Sequence, residues 1–182
     1  MLPLSEMSLE EAHVVKALLF DLDGTFITAD TLGSESYYSL ERIRKVGIRT
    51  IAVTGRPAGW CDLIARWWPV DSVIGENGAF AYSKQDSKVS RMNFYNLDDQ
   101  FSNRRRLNSL LDDLRSEYPD IKLASDQPFR QWDLAIDIAE ETTVSMDTAL
   151  EIARYCQKKG AKASISNIHV NIWFCEYNKQ GM

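Results

Sequence analysis

The chain has 182 residues, 45% apolar and 26% charged, the balance of an ordinary soluble globular protein with room for one sizeable core or two small ones. A formal net charge of −5 gives no basic footprint for nucleic acid, and no stretch approaches the ~18 apolar residues of a membrane span. Cys61, Cys156 and Cys175 are far apart, odd in number and without a C-x-x-C pair. They read as reduced, mostly buried thiols of a cytoplasmic protein, not as a metal or disulfide framework. Residues 1–11 are acidic, lack the order of a signal peptide and read as a loose leader.

An apolar run at 14–20 stops at Asp21-Leu22-Asp23-Gly24-Thr25. Near-continuous hydrophobicity predicts a parallel-sheet strand covered on both faces. A loop over 28–33 leads to a helix to about 46, capped by Ser34 or Ser36, with Tyr37, Leu40 and Ile43 on one face. Gly47 stops it, and 48–53 is a second buried strand. That strand ends in Thr54-Gly55-Arg56-Pro57, where Pro57 suits a first helical turn. Trp60, Leu63, Ile64 and Trp67 follow at helical spacing and are expected to pack in the core. A third strand at 71–74 runs into Gly75-Glu76-Asn77-Gly78-Ala79. Strands alternating with helices imply βαβ units and a mostly parallel sheet.

The rhythm changes near 82. Residues 83–90 read as a linker or hairpin turn, 91–95 as a strand, and 99–118 as a helix with Leu107, Leu110, Leu111, Leu114 and Tyr118 inward. Arg104-Arg105-Arg106 on this helix is expected to be a solvated face. A short strand at 121–124 precedes an alternating one at 131–139, with Asp133, Ala135 and Asp137 on an exposed side. A helix at 145–158 follows, with Met146, Ala149, Leu150 and Ala153 inward and Gly160 as its stop. Strands at 162–166 and 169–174 close a strand-helix-strand unit repeated twice, an α+β domain over 83–173. The domain reading is a core over 1–82, the inserted α+β domain over 83–173, and a return to the core over 174–182.

In open α/β sheets the ligand site lies beyond the carboxyl ends of the strands, which is where Asp21 and Asp23 fall. Phosphate monoester hydrolysis is very slow uncatalysed, and an aspartyl-phosphate intermediate splits it into easier steps. That route needs a carboxylate nucleophile, an acid/base for the leaving oxygen and the attacking water, and cations against the phosphoryl charge. Asp21 and Asp23 offer nucleophile and acid/base around Mg²⁺; Thr54 with the Gly55 amide offers a phosphate cradle, and Lys179 a further positive charge.

The apolar strand with Asp21-Leu22-Asp23-Gly24-Thr25 resembles the first motif of the haloacid dehalogenase superfamily of phosphatases, and Val53-Thr54-Gly55-Arg56 resembles its second. Gly75-Glu76-Asn77-Gly78-Ala79 is similar to the junction into the cap domain of subfamily IIB, the sucrose-, trehalose- and mannosyl-3-phosphoglycerate-phosphatase branch. Ser166 to Asn171 and Tyr177-Asn178-Lys179 resemble the end of that cap and the lysine-bearing third motif. The resemblance implies a Rossmann-like parallel-sheet core with an inserted α+β cap. It implies Asp21 as nucleophile and Mg²⁺ ligand, Asp23 as acid/base and a second Mg²⁺ ligand through its backbone carbonyl, and Thr54, Gly55 and Lys179 around the phosphate. Arg130, His169 and Asn171 are the cap candidates for a phosphorylated small molecule, in that branch a sugar phosphate.

The family carries a fourth, acidic motif after the lysine, whereas this chain ends at Met182. The expectation is therefore an incomplete core with an exposed apolar face and sheet edge, open to self-association, with weak Mg²⁺ binding and poor turnover. A calcium loop is excluded because its glycine would sit at the sixth position and a helix would precede it. Asp23 argues against carbon–halogen displacement, which needs no such acid. A phosphomutase on the same intermediate stays open, as does a non-catalytic binding protein on this fold.

Overall fold

A computed structural model describes residues 3–28 and 31–182. Part of the loop expected at 28–33, and the first two residues of the leader, lie outside the described residues. The remainder of the leader carries a short helix, α1 (Leu9–Val14), that buries none of its residues. It starts at a capping box in which Ser8 and Glu11 satisfy each other's backbone amides.

The core is β1 (Ala17–Phe20), α2 (Ser34–Lys45), β2 (Arg49–Val53), α3 (Ala58–Trp67) and β3 (Ser72–Gly75), with β1–β2 and β2–β3 parallel. Two right-handed crossovers stepping the same way along a sheet put α2 and α3 on one face. The sheet then turns antiparallel through β4 (Phe80–Gln85) and β5 (Lys88–Asn93), in the order β1-β2-β3-β4-β5. The strand expected at 91–95 to open the inserted unit is therefore the outer strand of the core sheet. Asp86 and Ser87, both at positive φ, form the two-residue turn whose twist suits a hairpin.

A second sheet, β6 (Leu134–Asp137), β7 (Lys162–Ile165) and β8 (His169–Trp173), is antiparallel in the order β6-β8-β7. It packs with α4 (Leu97–Glu117) and α5 (Met146–Lys158) around Leu107, Leu110, Leu114, Leu134, Ile152 and Ile172. The whole is an α/β fold, a Rossmann-like core with an α+β unit of α4, α5 and the second sheet inserted after β5. The strand expected at 121–124 is only an isolated bridge, Leu123 to Ile136.

Several expected faces are different. Strand β1 is shorter than the run 14–20 and is not covered on both faces: it is a sheet edge, with Leu18 37% and Leu19 59% exposed. On α3 the buried face is Ala58, Cys61, Ile64 and Ala65, while Trp60, Leu63 and Trp67 face outward. Small residues let α3 lie close on the sheet, which leaves the large ones outside. On α5, Ile152 and Cys156 join Ala149 and Ala153 inside, whereas Met146 and Leu150 are exposed. Helix α2 buries Leu40 alone and is capped by Gly33, without a serine side chain. Strand β6 is buried on both faces, and Asp137 within it and Asp133 before it are inside: Arg130 and Asn171 close on Asp133, and Asp137 accepts the amides of 139–141. The three thiols are free, Cys61 and Cys156 being buried. Arg104 and Arg106 are not simply solvated: Arg104 donates to the Asp133 and Arg130 carbonyls, and Arg106 lies over the Phe174 ring.

Candidate active site

The turn after β1 is closed by the Ile27 amide on the Leu22 carbonyl and the Gly24 amide on the Ile27 carbonyl. Gly24 takes φ +73°, a left-handed conformation that side chains resist. Neither bond uses the Asp23 carbonyl. The result holds both aspartate side chains at the mouth of a cavity of about 730 Å³ between the two sheets.

Each aspartate meets a cation from elsewhere in the chain. Lys179 Nζ donates to Asp21 Oδ1 at 2.9 Å across 158 positions. Asn178 approaches so closely to Gly78 (φ +105°) that a Cβ there would overlap the Asn178 carbonyl, so this glycine lets the lysine segment return. Arg56 Nε and Nη2 donate to Asp23 at 2.8–3.2 Å. Burial works to lower the Arg56 pKa, but its bonds to Asp23 and that carboxylate's charge outweigh this and raise it above its ordinary value. Arg56 also pairs with Glu140 at 3.4 Å, and His169 Nε2 lies 3.0 Å from the second Glu140 oxygen.

The structure gathers Asp21, Asp23, Gly55, Lys179, Arg130, His169 and Asn171 on the lining of this one cavity. Thr54 lies behind that lining, fully buried, its Oγ1 accepting the Arg56 amide at 3.0 Å. The cap-side candidates are already engaged. Arg130 is clamped by Asp126 (2.8 Å) and Asp133 (3.1 Å), and it donates to the Gly55 carbonyl at 3.0 Å. Asn171 donates to Asp133. Burial opposes the Arg130 charge, yet Asp133 and Asp126 together hold its pKa above the ordinary arginine value.

Sequence reasoning missed Arg56 as a partner of Asp23, although it directly follows Thr54-Gly55. It also missed the tip of the β7–β8 hairpin, where Asn167 Nδ2 lies 3.2 Å from the place a Cβ on Gly24 would take. Glu140 carried no motif signal at all.

As for Mg²⁺, Asp21 offers a half-exposed carboxylate with one oxygen taken by Lys179, and Asp23 a backbone carbonyl to which no amide of the described residues donates. One carboxylate, one carbonyl, waters and a phosphate oxygen make a set that Mg²⁺ accepts. Among the described residues no three His, Cys, Asp or Glu side chains converge to hold a metal. The residues present thus fit a lightly held ion.

A sequence model of haloacid dehalogenase-like hydrolases matches residues 18–118. No curated protein sequence matches. Among solved structures, the fold is shared with protein 0175 of Thermoplasma acidophilum (TM-score 0.70, 14% identity, 91% of this chain and 67% of that one). It is shared with the C-terminal domain of Candida albicans trehalose-6-phosphate phosphatase (TM-score 0.67, 13% identity, 92% and 60%). The sucrose-phosphatase of Synechocystis sp. PCC6803, solved with sucrose and phosphate, gives a TM-score of 0.60 at 13% identity over 90% and 66%. The chain thus spans 60–67% of the length of these structures. With its motif loop, lysine and inserted unit in this order, and with more than half its length matched, the chain belongs to the haloacid dehalogenase-like hydrolase family.

Proposed function

We propose that this hydrolase cleaves a phosphate monoester, with a phosphorylated sugar as its substrate, through an aspartyl-phosphate on Asp21. The observation that carries the reading is the Asp21–Lys179 contact of 2.9 Å beside the Asp23–Arg56 pair, at a cavity mouth that also presents Gly55. A phosphoryl group entering there can take the Lys179 ammonium from Asp21, which frees the carboxylate oxygen to attack phosphorus. The bond from phosphorus to the leaving oxygen breaks, and Asp23, once it has let go of Arg56 and taken up a proton, gives that proton to the oxygen. Water then attacks the acyl phosphate, Asp23 takes its proton, and inorganic phosphate leaves with Asp21 restored. Mg²⁺, held by Asp21 and the Asp23 carbonyl, would supply neutralising charge to the phosphoryl oxygens.

The cavity's size and polar lining suit a sugar, and two of the structures sharing this fold are named for sugar-phosphate hydrolysis. The test is phosphate release from a panel of sugar phosphates with Mg²⁺, by the wild type and by Asp21→Asn. Equal activity in the two proteins would remove Asp21 as nucleophile. Release from simple phosphomonoesters alone would remove the sugar.

A further inference from the structure

Glu76 is a carboxylate of the site region that the proposed chemistry does not use. It lies at the start of the chain's crossing from β3 to β4 and is fully buried. Its side chain accepts four backbone amides. One is Ala58 at the start of α3 (3.0 Å); the others are the consecutive residues Gln131, Trp132 and Asp133 (2.5–3.2 Å). Those three belong to the inserted unit and point at the core. Trp132 is itself fully buried among core residues such as Leu22, Leu40, Phe80 and Tyr177, and its carbonyl accepts from the Tyr177 hydroxyl. On either side of it, Arg130 reaches the Gly55 carbonyl and Asp133 holds both Arg130 and Asn171. Phe129, one residue further back, packs so tightly on Gly59 that a Cβ there would sit 3.1 Å away.

We infer that Glu76 is a positioning residue that seats the cap on the core: by gathering the amides of 131–133 it sets Arg130, Asp133 and Asn171 against Gly55. The cap is then a docked unit, and it can lift only by drawing Trp132 out of the core and leaving a buried carboxylate without its donors. Such a loss is among the most costly of polar changes. The consequence for catalysis rests on the phosphomonoester reading; the seating itself does not.

Burial and the neighbouring Asp133 charge push the Glu76 carboxyl up, and the amides of Gln131 and Trp132 with the Arg130 charge act against them.

Hydrogen–deuterium exchange of wild type and Glu76→Gln tests this, with the α5 amides as internal reference. The substitution puts an –NH₂ group before donors that need an acceptor, so exchange at 131–133 is expected to speed up by about tenfold or more with α5 unchanged. Equal protection of 131–133 in both proteins overturns the latch. If Glu76→Gln does not fold, Glu76→Asp decides: it keeps the charge and shortens the reach, so exchange at 131–133 should speed up relative to α5, and unchanged protection overturns the inference. On the panel above, Glu76→Gln should raise KM more than it lowers kcat; unchanged constants in a protein with loosened 131–133 would overturn the positioning role. A wild type inactive on every phosphomonoester would sink the proposed function, while the exchange comparison would still decide the seating.

Discussion

Two sets of ion pairs face the same cavity with nearly the same lengths and very different surroundings. At the mouth, Lys179 meets Asp21 at 2.9 Å with side chains 40% and 43% exposed. At the seat of the cap, Arg130 meets Asp126 at 2.8 Å and Asp133 at 3.1 Å with side chains no more than 5% exposed. Distance alone would rank them together. Solvent separates them: an exposed pair is worth about 0–1 kcal/mol, so a phosphate can replace one partner at little cost. A buried pair that loses one partner leaves a charge stranded, at about 3–5 kcal/mol. The mouth is thus suited to exchanging partners and the seat to keeping them.

That contrast breaks most sharply at Asp21. Asp21→Asn keeps the shape of the side chain and removes the carboxylate proposed as nucleophile, so phosphate release should fall by about 10⁴-fold or more, with the melting temperature nearly unchanged. A mutant that unfolds, or that keeps activity, would erase the difference between the two regions. Arg130→Ala should do the reverse. It leaves Asp126 and Asp133 buried without their cation, and urea unfolding should show a loss of about 3–5 kcal/mol. A loss below about 1 kcal/mol would mean that this cluster behaves like a surface pair. Lys179→Ala comes next: kcat/KM should drop by about 10²-fold through lost charge at the phosphoryl oxygens, with stability within about 1 kcal/mol of wild type.

The mouth was legible in the sequence and the seat was not, for a physical reason. Asp21, Asp23, Thr54 and Lys179 sit at the ends or returns of strands, where chemistry demands particular residues at particular offsets. The two motif aspartates and the lysine can therefore be named before their distances are known. The seat depends on which face of 131–139 is wet. Alternation put Asp133 and Asp137 outside, because a two-residue period reports that two faces differ, not what covers each. Tertiary contacts bury them: Arg130 and Asn171 close on Asp133, and the turn at 139–141 wraps Asp137 with its amides. The same limit misplaced α3. A helix rich in tryptophan reads as core, yet here Ala58, Cys61 and Ala65 make the close approach to the sheet and Trp67 is 75% exposed. That β4 and β5 extend the core sheet escaped for a different reason: a strand's own sequence does not name the sheet it joins.

The smallest expected effect is the most specific to the seat. Glu76→Asp keeps the charge that the 131–133 amides need and shortens its reach, so it should lower the melting temperature by about 2–4 °C, the scale of a 1 kcal/mol change in a chain of this size. Glu76→Gln should cost more, because its –NH₂ group faces donors that need an acceptor. Asp21→Asn touches none of these bonds and should leave the melting temperature nearly where it was. A melting temperature that falls as far in Asp21→Asn as in Glu76→Gln would move the stabilising contacts from the seat to the mouth, and with them the division of labour between the two regions.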